Sequence, residues 1–501
     1  MQPSPPGSLA SWLAVPRPLL IGGQWRAAST GELQAIRDPA TGETIASVNC
    51  GGIADIDLAV AAARRCFESR DWRRMAPAER ARKLWRLADL IEQHADELAY
   101  LEAWNEGMPL ALARILGAAG PAEALRYYAG WCTKIEGTTH TLSTPDPRGP
   151  GALGAPYHAW TQREPVGVVG AITPWNAPMV MAVAKIGPAL AAGCTIVLKP
   201  AGETPLTALR LGELIGEAGF PPGAVNIVPG RGSEAGAHLA AHPDVDRVTF
   251  TGSTETGRKI AALSLGNLKR VALELGGKSP VIVCADADVD RTIPVIADAI
   301  FMNSGQICFA GTRVYVERRV LDRVVEGVAA CARRLRLGPG LDPDTELGPL
   351  ISARQRESVM AYIELGLRDG ATLVTGGSAP AGPGYFVEPT IFVAPRNDLR
   401  IVREEIFGPV LTVVPFDTLE EAVRLANDTV YGLAAGVFTS SLSTAHGLAD
   451  EIRAGSVWIN CYAMLDEAMP TGGFRQSGWG REAGRVGVEE YTEIKSVVAA
   501  L

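Results

Sequence analysis

Apolar residues recur at three- and four-residue spacing over residues 53–67 and again over 77–106. That period predicts two amphipathic helices, the second rich in Ala, Leu, Arg and Glu. From Val166 the pattern changes. Short apolar runs at 166–172, 195–198, 225–228, 247–250 and 270–273 alternate with helical stretches at 180–191, 205–218, 233–241 and from Thr254. A second series runs from near Ser279 to near Asn460, with strands expected at 280–284, 312–316, 410–415 and 456–459. Repeated strand-then-helix units predict an α/β class with open parallel sheets covered on both faces. Ligands of such sheets bind beyond the carboxyl ends of the strands.

Between the two patterns, residues 141–156 are rich in Pro, Gly and Ser and cannot form a helix. The tail, 488–498, reads as a strand with no local partner. The first 23 residues are Pro-rich and lack a basic segment ahead of an apolar core, so they read as a loose arm rather than a signal peptide. No internal repeat is visible.

At 501 residues the chain has room for several domains. Lys and Arg total 47 against 55 Asp and Glu, a formal charge of −8, which argues against general affinity for nucleic acid or anionic membrane. No uninterrupted apolar run reaches ~18 residues, so no transmembrane helix is expected. Eight cysteines without a CxxC pair suggest reduced thiols in a cytoplasm rather than a disulfide framework.

One of those cysteines carries the chemistry. Cys308 follows a Gly-Gln-Ile turn in Asn303-Ser304-Gly305-Gln306-Ile307-Cys308-Phe309. A thiol that attacks a carbonyl needs an accessible backbone and a field favouring thiolate. Taken alone, a cysteine is more often a buried inert thiol. Glu274, at the end of an apolar run and before Gly276-Gly277, is a candidate general base; the alternative is a buried ion pair. Asn176, in Pro174-Trp175-Asn176-Ala177-Pro178, is a candidate oxyanion donor or a structural cap. Phe250-Thr251-Gly252-Ser253-Thr254-Glu255-Thr256-Gly257 joins a strand to a helix, where free N–H groups suit a phosphate. Gly230, Gly232 and Gly236 follow another strand end, and Lys199 ends a third. Three strand ends together favour a nucleotide site. His238 and His242 stand four apart, but with no HExxH and no third ligand nearby they read as a solvated face, and no metal is expected.

In order and spacing, the motifs PWNAP, LKPAGETPLTAL, FTGSTETG, LELGGKSP, GQICFAGTR, EEIFGPV, NDTVYGL and GGFRQSGWGRE resemble the NAD(P)-dependent aldehyde dehydrogenase superfamily, from Gly22-Gly23-Gln24-Trp25 to the tail. The resemblance implies a cofactor domain over 1–140 and 160–277, a catalytic domain over 278–475, and a small β oligomerisation element over 141–159 and 486–501. Two of these are Rossmann-like open-sheet domains. It places the tail strand on a neighbouring subunit's sheet and implies a homodimer or homotetramer. Cys308 becomes the nucleophile, Asn176 the oxyanion donor, Glu274 the base that activates water, and Glu482 a proton relay; a surface ion pair is the plainer role for Glu482. Lys199 and Glu405 would hold the two riboses, Phe407 would pack beside the nicotinamide, and Gly252 and Ser253 would contact the pyrophosphate. Ile172, Thr173, Pro174 and Trp175 would line the cofactor channel, with Gln355 reaching a ribose. Phe250, Thr251, Thr256, Leu275, Gly276, Gly232 and Gly236 complete the cradle.

Two departures from the family pattern matter. Relatives that prefer NAD often carry Glu three residues after the lysine; here that position is Gly202, with Glu203 one later. NAD is expected as cofactor, with NADP tolerated. Relatives acting on small or aromatic aldehydes often place aromatics where this chain has Ala177, Ala184, Leu465 and Thr471. With Met181, Ile307 and Phe309 these imply a wide, mainly aliphatic tunnel for a bulky or medium-chain apolar aldehyde, although Asp466 and Glu467 leave room for a polar or cationic one. A dehydrogenase that passes the acyl group to CoA, and a non-catalytic binding or structural relative, are the alternatives; Glu274 counts against the first, and the complete catalytic set against the second.

Overall fold

The apolar runs become two separate, largely parallel sheets in the computed structural model, which describes residues 7–142 and 157–500. In the first sheet the strand order is Gly478–Trp479, Arg270–Glu274, Arg247–Thr251, Val168–Ile172, Thr195–Lys199, Val225–Ile227, Leu19–Ile21 and Gln24–Arg26. The five strands from Arg270–Glu274 to Val225–Ile227 are parallel, and the first four of them pair Leu273 with Phe250, Phe250 with Ile172, and Ile172 with Lys199. That register brings Lys199, Ile172, Thr251 and Glu274 to one carboxyl-terminal edge. The second sheet runs Thr372–Thr375, Thr390–Val393, Val410–Phe416, Arg313–Glu317, Pro280–Val283, Ala434–Phe438 and Ser456–Ile459. The strand at Pro280 starts six residues after Glu274, and Cys308 lies five residues before the paired strand at Arg313. The carboxyl edge of one sheet therefore faces the amino edge of the other, and Glu274 and Cys308 enter the gap from opposite sides.

Strands buried on both faces explain the near-continuous Val, Ile and Leu runs. Elsewhere the structure departs from expectation. The single helix over 77–106 is two, Pro77–Gln93 and Ala95–Asn105, broken at His94, whose ring sits 3.0 Å from Glu97. The stretch at 233–241 opens with a wide turn, Gly232–Gly236, before Ala237–Ala241. From Gly7 onward the N-terminal arm is not loose: Leu9 and Leu13 are buried, and Leu19–Ile21 adds to the first sheet. The tail strand Thr492–Ala500 finds its partner within its own chain, along the whole length of Tyr157–Pro165. That partner lies more than 300 residues away in sequence, so no local pattern revealed it. Of the segment given to oligomerisation, residues 143–156 lie outside the described residues. Gly478–Trp479 returns from the second sheet to pair with Leu273 and Glu274, which carries Glu482 back to the gap. Among the described residues no helix is long and apolar enough to cross a membrane, and all eight cysteines are unpaired.

Candidate active site

Cys308 follows a turn in which Asn303, Ser304 and Gly305 all take positive φ, at 48°, 55° and 71°. Two consecutive non-glycine residues in the left-handed region are strained, and such strain persists only where surrounding contacts hold it. Here Ser304 Oγ donates to the Gly348 carbonyl, and Gln306 Oε1 accepts from the Ile351 N–H. Gly277 gives the approach: a Cβ there would sit 2.5 Å from the Cys308 carbonyl oxygen.

Burial first, then Glu405 and Glu274, push the Cys308 thiol up to about 12, against the N–H groups of Phe309 and Cys308. This corrects the expectation of a local field that favours thiolate. The carboxylates brought close by the fold outweigh the nearby backbone dipoles.

Asn176 is buried, and its Nδ2 donates to the Gln306 carbonyl at 2.8 Å, two residues before Cys308. Glu274 ends its strand, and its Oε1 is buried without a hydrogen-bond partner. Burial raises its pKa; Lys185 and Arg481 act in the opposite direction. Lys185 is fully buried, and burial lowers its pKa while Glu274 opposes. Its Nζ makes an ion pair with Glu482 Oε1. Glu482 also accepts a 3.4 Å hydrogen bond from Thr249 Oγ1. Glu482 is thus in an ion pair, but an inward one, linking Lys185 to the strand that pairs with that of Glu274. The sequence reading passed over Lys185 as a site residue; a lone lysine in the apolar helix Pro178–Ala192 was the available signal.

At the strand ends, backbone is laid bare by glycine. A Cβ on Gly252 would meet the Phe250 ring at 2.6 Å, and one on Gly276 would overlap Glu405 Oε2. A Cβ on Gly236 would lie 3.3 Å from Cδ of the Lys199 stem. Thr251 Oγ1 is buried with no partner. Ser253 caps the helix Thr254–Leu263, accepting from the Thr256 N–H at 3.3 Å. Leu275 packs against Gly257 and donates its N–H to the Ser477 carbonyl at 3.0 Å. Lys199 Nζ donates to the Pro200 and Gly230 carbonyls at 2.8 and 3.2 Å; burial lowers its pKa to about 8, with Glu203 opposing. Glu405 Oε1 accepts from the Gly277 N–H at 3.0 Å, and burial raises the acid to about 7. Phe407, at φ 57°, meets Trp175 edge-on at 5.3 Å, beyond Ile172, Thr173 and Pro174. These orphaned polar atoms and side-chain-free surfaces fit a dinucleotide lying along the strand ends. Gln355 is less free: its Nε2 donates to the Phe407 and Ile406 carbonyls at 2.8 and 3.3 Å. Glu203 is exposed, and Gln34 fills the space beside Gly202, donating to its carbonyl at 2.8 Å.

On the other side of Cys308, Ala177 is buried, Met181, Ala184, Ile307, Phe309 and Thr471 are half-buried, and Leu465 is exposed. Phe309 packs edge-on against Trp458 at 5.9 Å, Trp458 meets Tyr462 at 4.8 Å, and Tyr462 donates to the Phe309 carbonyl. The wall beside Phe309 is therefore aromatic, which the aliphatic expectation missed. Glu467 receives the Tyr128 hydroxyl at 2.8 Å and is raised by burial.

His238 and His242 do gain a third neighbour, Asp57, against expectation. Its Oδ1 lies 2.6 Å from His238 Nε2 and 3.3 Å from His242 Nε2. The Asp244 N–H points at His242 Nδ1 from 3.1 Å, so the neutral ring carries its proton on Nε2 and shares it with Asp57. A metal on Nε2 would need that proton moved to a nitrogen already facing a donor. Asp57, on the helix Ile53–Glu68, thus bridges the two rings, by a hydrogen bond to His238 and a 3.3 Å contact with His242.

Known proteins resemble this chain over nearly its whole length. A statistical description of the aldehyde dehydrogenase family matches residues 25–497. A putative aldehyde dehydrogenase, DhaS, of Bacillus subtilis (strain 168) is 48% identical over 489 residues, 98% of this chain and 97% of its own. A phenylacetaldehyde dehydrogenase of Pseudomonas fluorescens is 48% identical, covering 97% of each. The NAD+ complex of an aldehyde dehydrogenase from Bacillus cereus superposes with a TM-score of 0.96 at 46% identity over the full length of both chains. With a thiol, a buried acid and a dinucleotide cradle meeting between two parallel sheets, this chain belongs to the aldehyde dehydrogenase family and is an NAD(P)-dependent oxidoreductase acting on aldehydes.

Proposed function

We propose that the protein oxidises a bulky, apolar aldehyde to its carboxylic acid through a thioester on Cys308, released by water that Glu274 activates. The observation that carries this is the buried, unpartnered Glu274 Oε1 in the gap that Cys308 enters, with Lys185 and Glu482 behind it. Attack forms an S–C bond as the thiol proton passes to solvent water, and the new alkoxide accepts hydrogen bonds from the Asn176 amide and the Cys308 N–H. For this the Asn176 amide exchanges the Gln306 carbonyl for the oxyanion. The bound nicotinamide cofactor supplies the acceptor for the aldehyde's hydrogen and its electron pair. In the second half, Glu274 takes a proton from water, the O–C bond forms, the C–S bond breaks, and Glu274 hands that proton to the departing sulfur. When the product acid ionises, Glu482, through Lys185, gives its proton a way out. A base is needed for hydrolysis and not for thiolysis, which favours acid over acyl-CoA as product.

Lys199, Glu405, Ser253 and Phe407 would hold the cofactor. With Gly202 and the neutral Gln34 amide where relatives carry a carboxylate, and Glu203 one residue later, a 2′-phosphate meets less repulsion, so NAD is used and NADP tolerated. For the aldehyde, Ala177 and Ala184 leave width, and Phe309 beside Trp458 adds an aromatic wall. The phenylacetaldehyde-oxidising relative supports a substrate of that bulk. Self-association as a homodimer or homotetramer belongs to the same proposal, readable by light scattering. Aldehyde profiling with both cofactors tests the rest. Octanal and phenylacetaldehyde should exceed acetaldehyde and betaine aldehyde in kcat/KM, with acid as product whether or not CoA is present. Higher kcat/KM for the small aldehydes, or an NAD preference above ~10³-fold, about 4 kcal/mol, would overturn the respective part.

A further inference from the structure

Beneath the nucleophile's turn lies a carboxyl group that the mechanism does not use. Glu106 caps the helix Ala95–Asn105 and is wholly buried. Its Oε1 accepts from Asn303 Nδ2 at 3.0 Å, and its Oε2 has no partner. The same Asn303 nitrogen donates to the Asn176 backbone carbonyl at 3.0 Å. Asn303's own carbonyl accepts from the Gln306 N–H at 3.0 Å, and the Gln306 carbonyl accepts the Asn176 amide. These bonds close a ring through Asn303, Gln306 and Asn176, and Glu106 is its anchor from outside. Asn303 also begins the run of left-handed residues, the conformation that needs holding.

We infer that Glu106 is a positioning residue: by fixing the Asn303 amide it sets both the turn that presents Cys308 and the placement of Asn176. The part concerning Asn176 rests on the oxyanion role proposed above. An amide nitrogen with both hydrogens used, one on each side, fixes its plane; loss of one acceptor frees it to rotate. A buried carboxyl with no cation in contact suits this as the neutral acid: burial holds Glu106 well above the usual carboxylate range against the Asn303 hydrogen bond, with Glu102 adding to the rise. Only an acceptor oxygen at this place is required, so glutamine should serve and leucine should not. Misplacing a reacting group by about 1 Å costs on the order of 10²-fold in rate.

Full-length Glu106→Gln, Glu106→Leu, Asn303→Ala and the Asn303→Ala/Glu106→Leu double variant separate this role from packing. The readouts are the single-turnover NADH burst per titrated thiol, alkylation of Cys308 by iodoacetamide, NAD affinity by fluorescence, and the melting temperature. Glu106→Gln should burst within about threefold of wild type, the ordinary scatter of a conservative change. Glu106→Leu should fall about 10²-fold with NAD affinity unchanged, and Asn303→Ala similarly. In the double variant the two losses should not multiply, because the residues act as one unit. Alkylation reads the turn alone, so it tests Glu106 even if Asn176→Ala shows the oxyanion role to be wrong. A wild-type burst and alkylation rate in Glu106→Leu, whatever its melting temperature, overturns the inference, as does a Glu106→Gln loss as large as that of leucine. If Glu106→Leu does not fold, a wild-type burst in Asn303→Ala overturns it.

Discussion

Glu274 and Glu405 both bear on the Cys308 thiol, and the fold holds them in opposite ways. Glu274 ends a strand of the first sheet with an oxygen facing no donor, while Lys185 and Arg481 favour its ionised form from nearby. Glu405 comes from the second sheet's side, is gripped by the Gly277 N–H, and presses against the bare face of Gly276. Both are raised by burial. The difference lies in what each has left to give. A carboxylate with a free oxygen can take a proton; one anchored by backbone can hold a ligand in place. A raised pKa alone would not have told them apart, and hydrogen-bond accounting does.

The largest test removes what both act on. Cys308→Ala should lose about 10⁴-fold or more of NAD-linked turnover, read as NADH absorbance; full turnover would remove the reason for either acid. Glu274→Gln should lower steady-state turnover by about 10²–10⁴-fold while sparing the NADH burst. Because a base works ionised and burial raises this acid, wild-type turnover should rise with pH along a limb above the ordinary carboxylate range, and the variant should lack that limb. A burst lost together with steady-state rate would place Glu274 before the thioester instead. Glu405→Gln should act on the cofactor, raising KM for NAD about tenfold, the worth of one hydrogen bond to a charged group. It should also lower the pH midpoint of Cys308 alkylation more than Glu274→Gln does, since Glu405 opposes the thiolate more strongly.

The smallest effect is on stability. Glu405 is held at about 7 in the fold against 4.5 for an ordinary glutamate. Between those values the folded chain keeps a proton that the unfolded chain has lost. Its contribution is therefore whole below about 4.5 and declines as pH rises towards 7. Melting temperatures taken from pH 4.5 to 7 should fall less steeply in Glu405→Gln than in wild type. Equal slopes would assign the drop to other groups.

Much of this was legible beforehand because it is local. The five apolar runs of the first sheet are strands, since a strand buried on both faces must be apolar throughout. Strand 434–438 escaped notice because Ala-Ala-Gly carries little β signal. The N-terminal arm misled for a related reason: Pro-rich composition says nothing about whether Leu9 and Leu19 meet a core. The histidine pair showed the limit most plainly, because Asp57 stands about 180 residues away in sequence.

The order of motifs alone determined the family and the cofactor class and singled out Cys308 as the candidate nucleophile, because catalytic chemistry restricts residue type at short spacing. Only the tertiary structure decided that Lys185 backs Glu482, that Glu106 grips Asn303, that carboxylates disfavour the Cys308 thiolate, and that the tail strand pairs at home. Each of those depends on burial and on partners distant along the chain, and both come into being only when the two sheets close on one another.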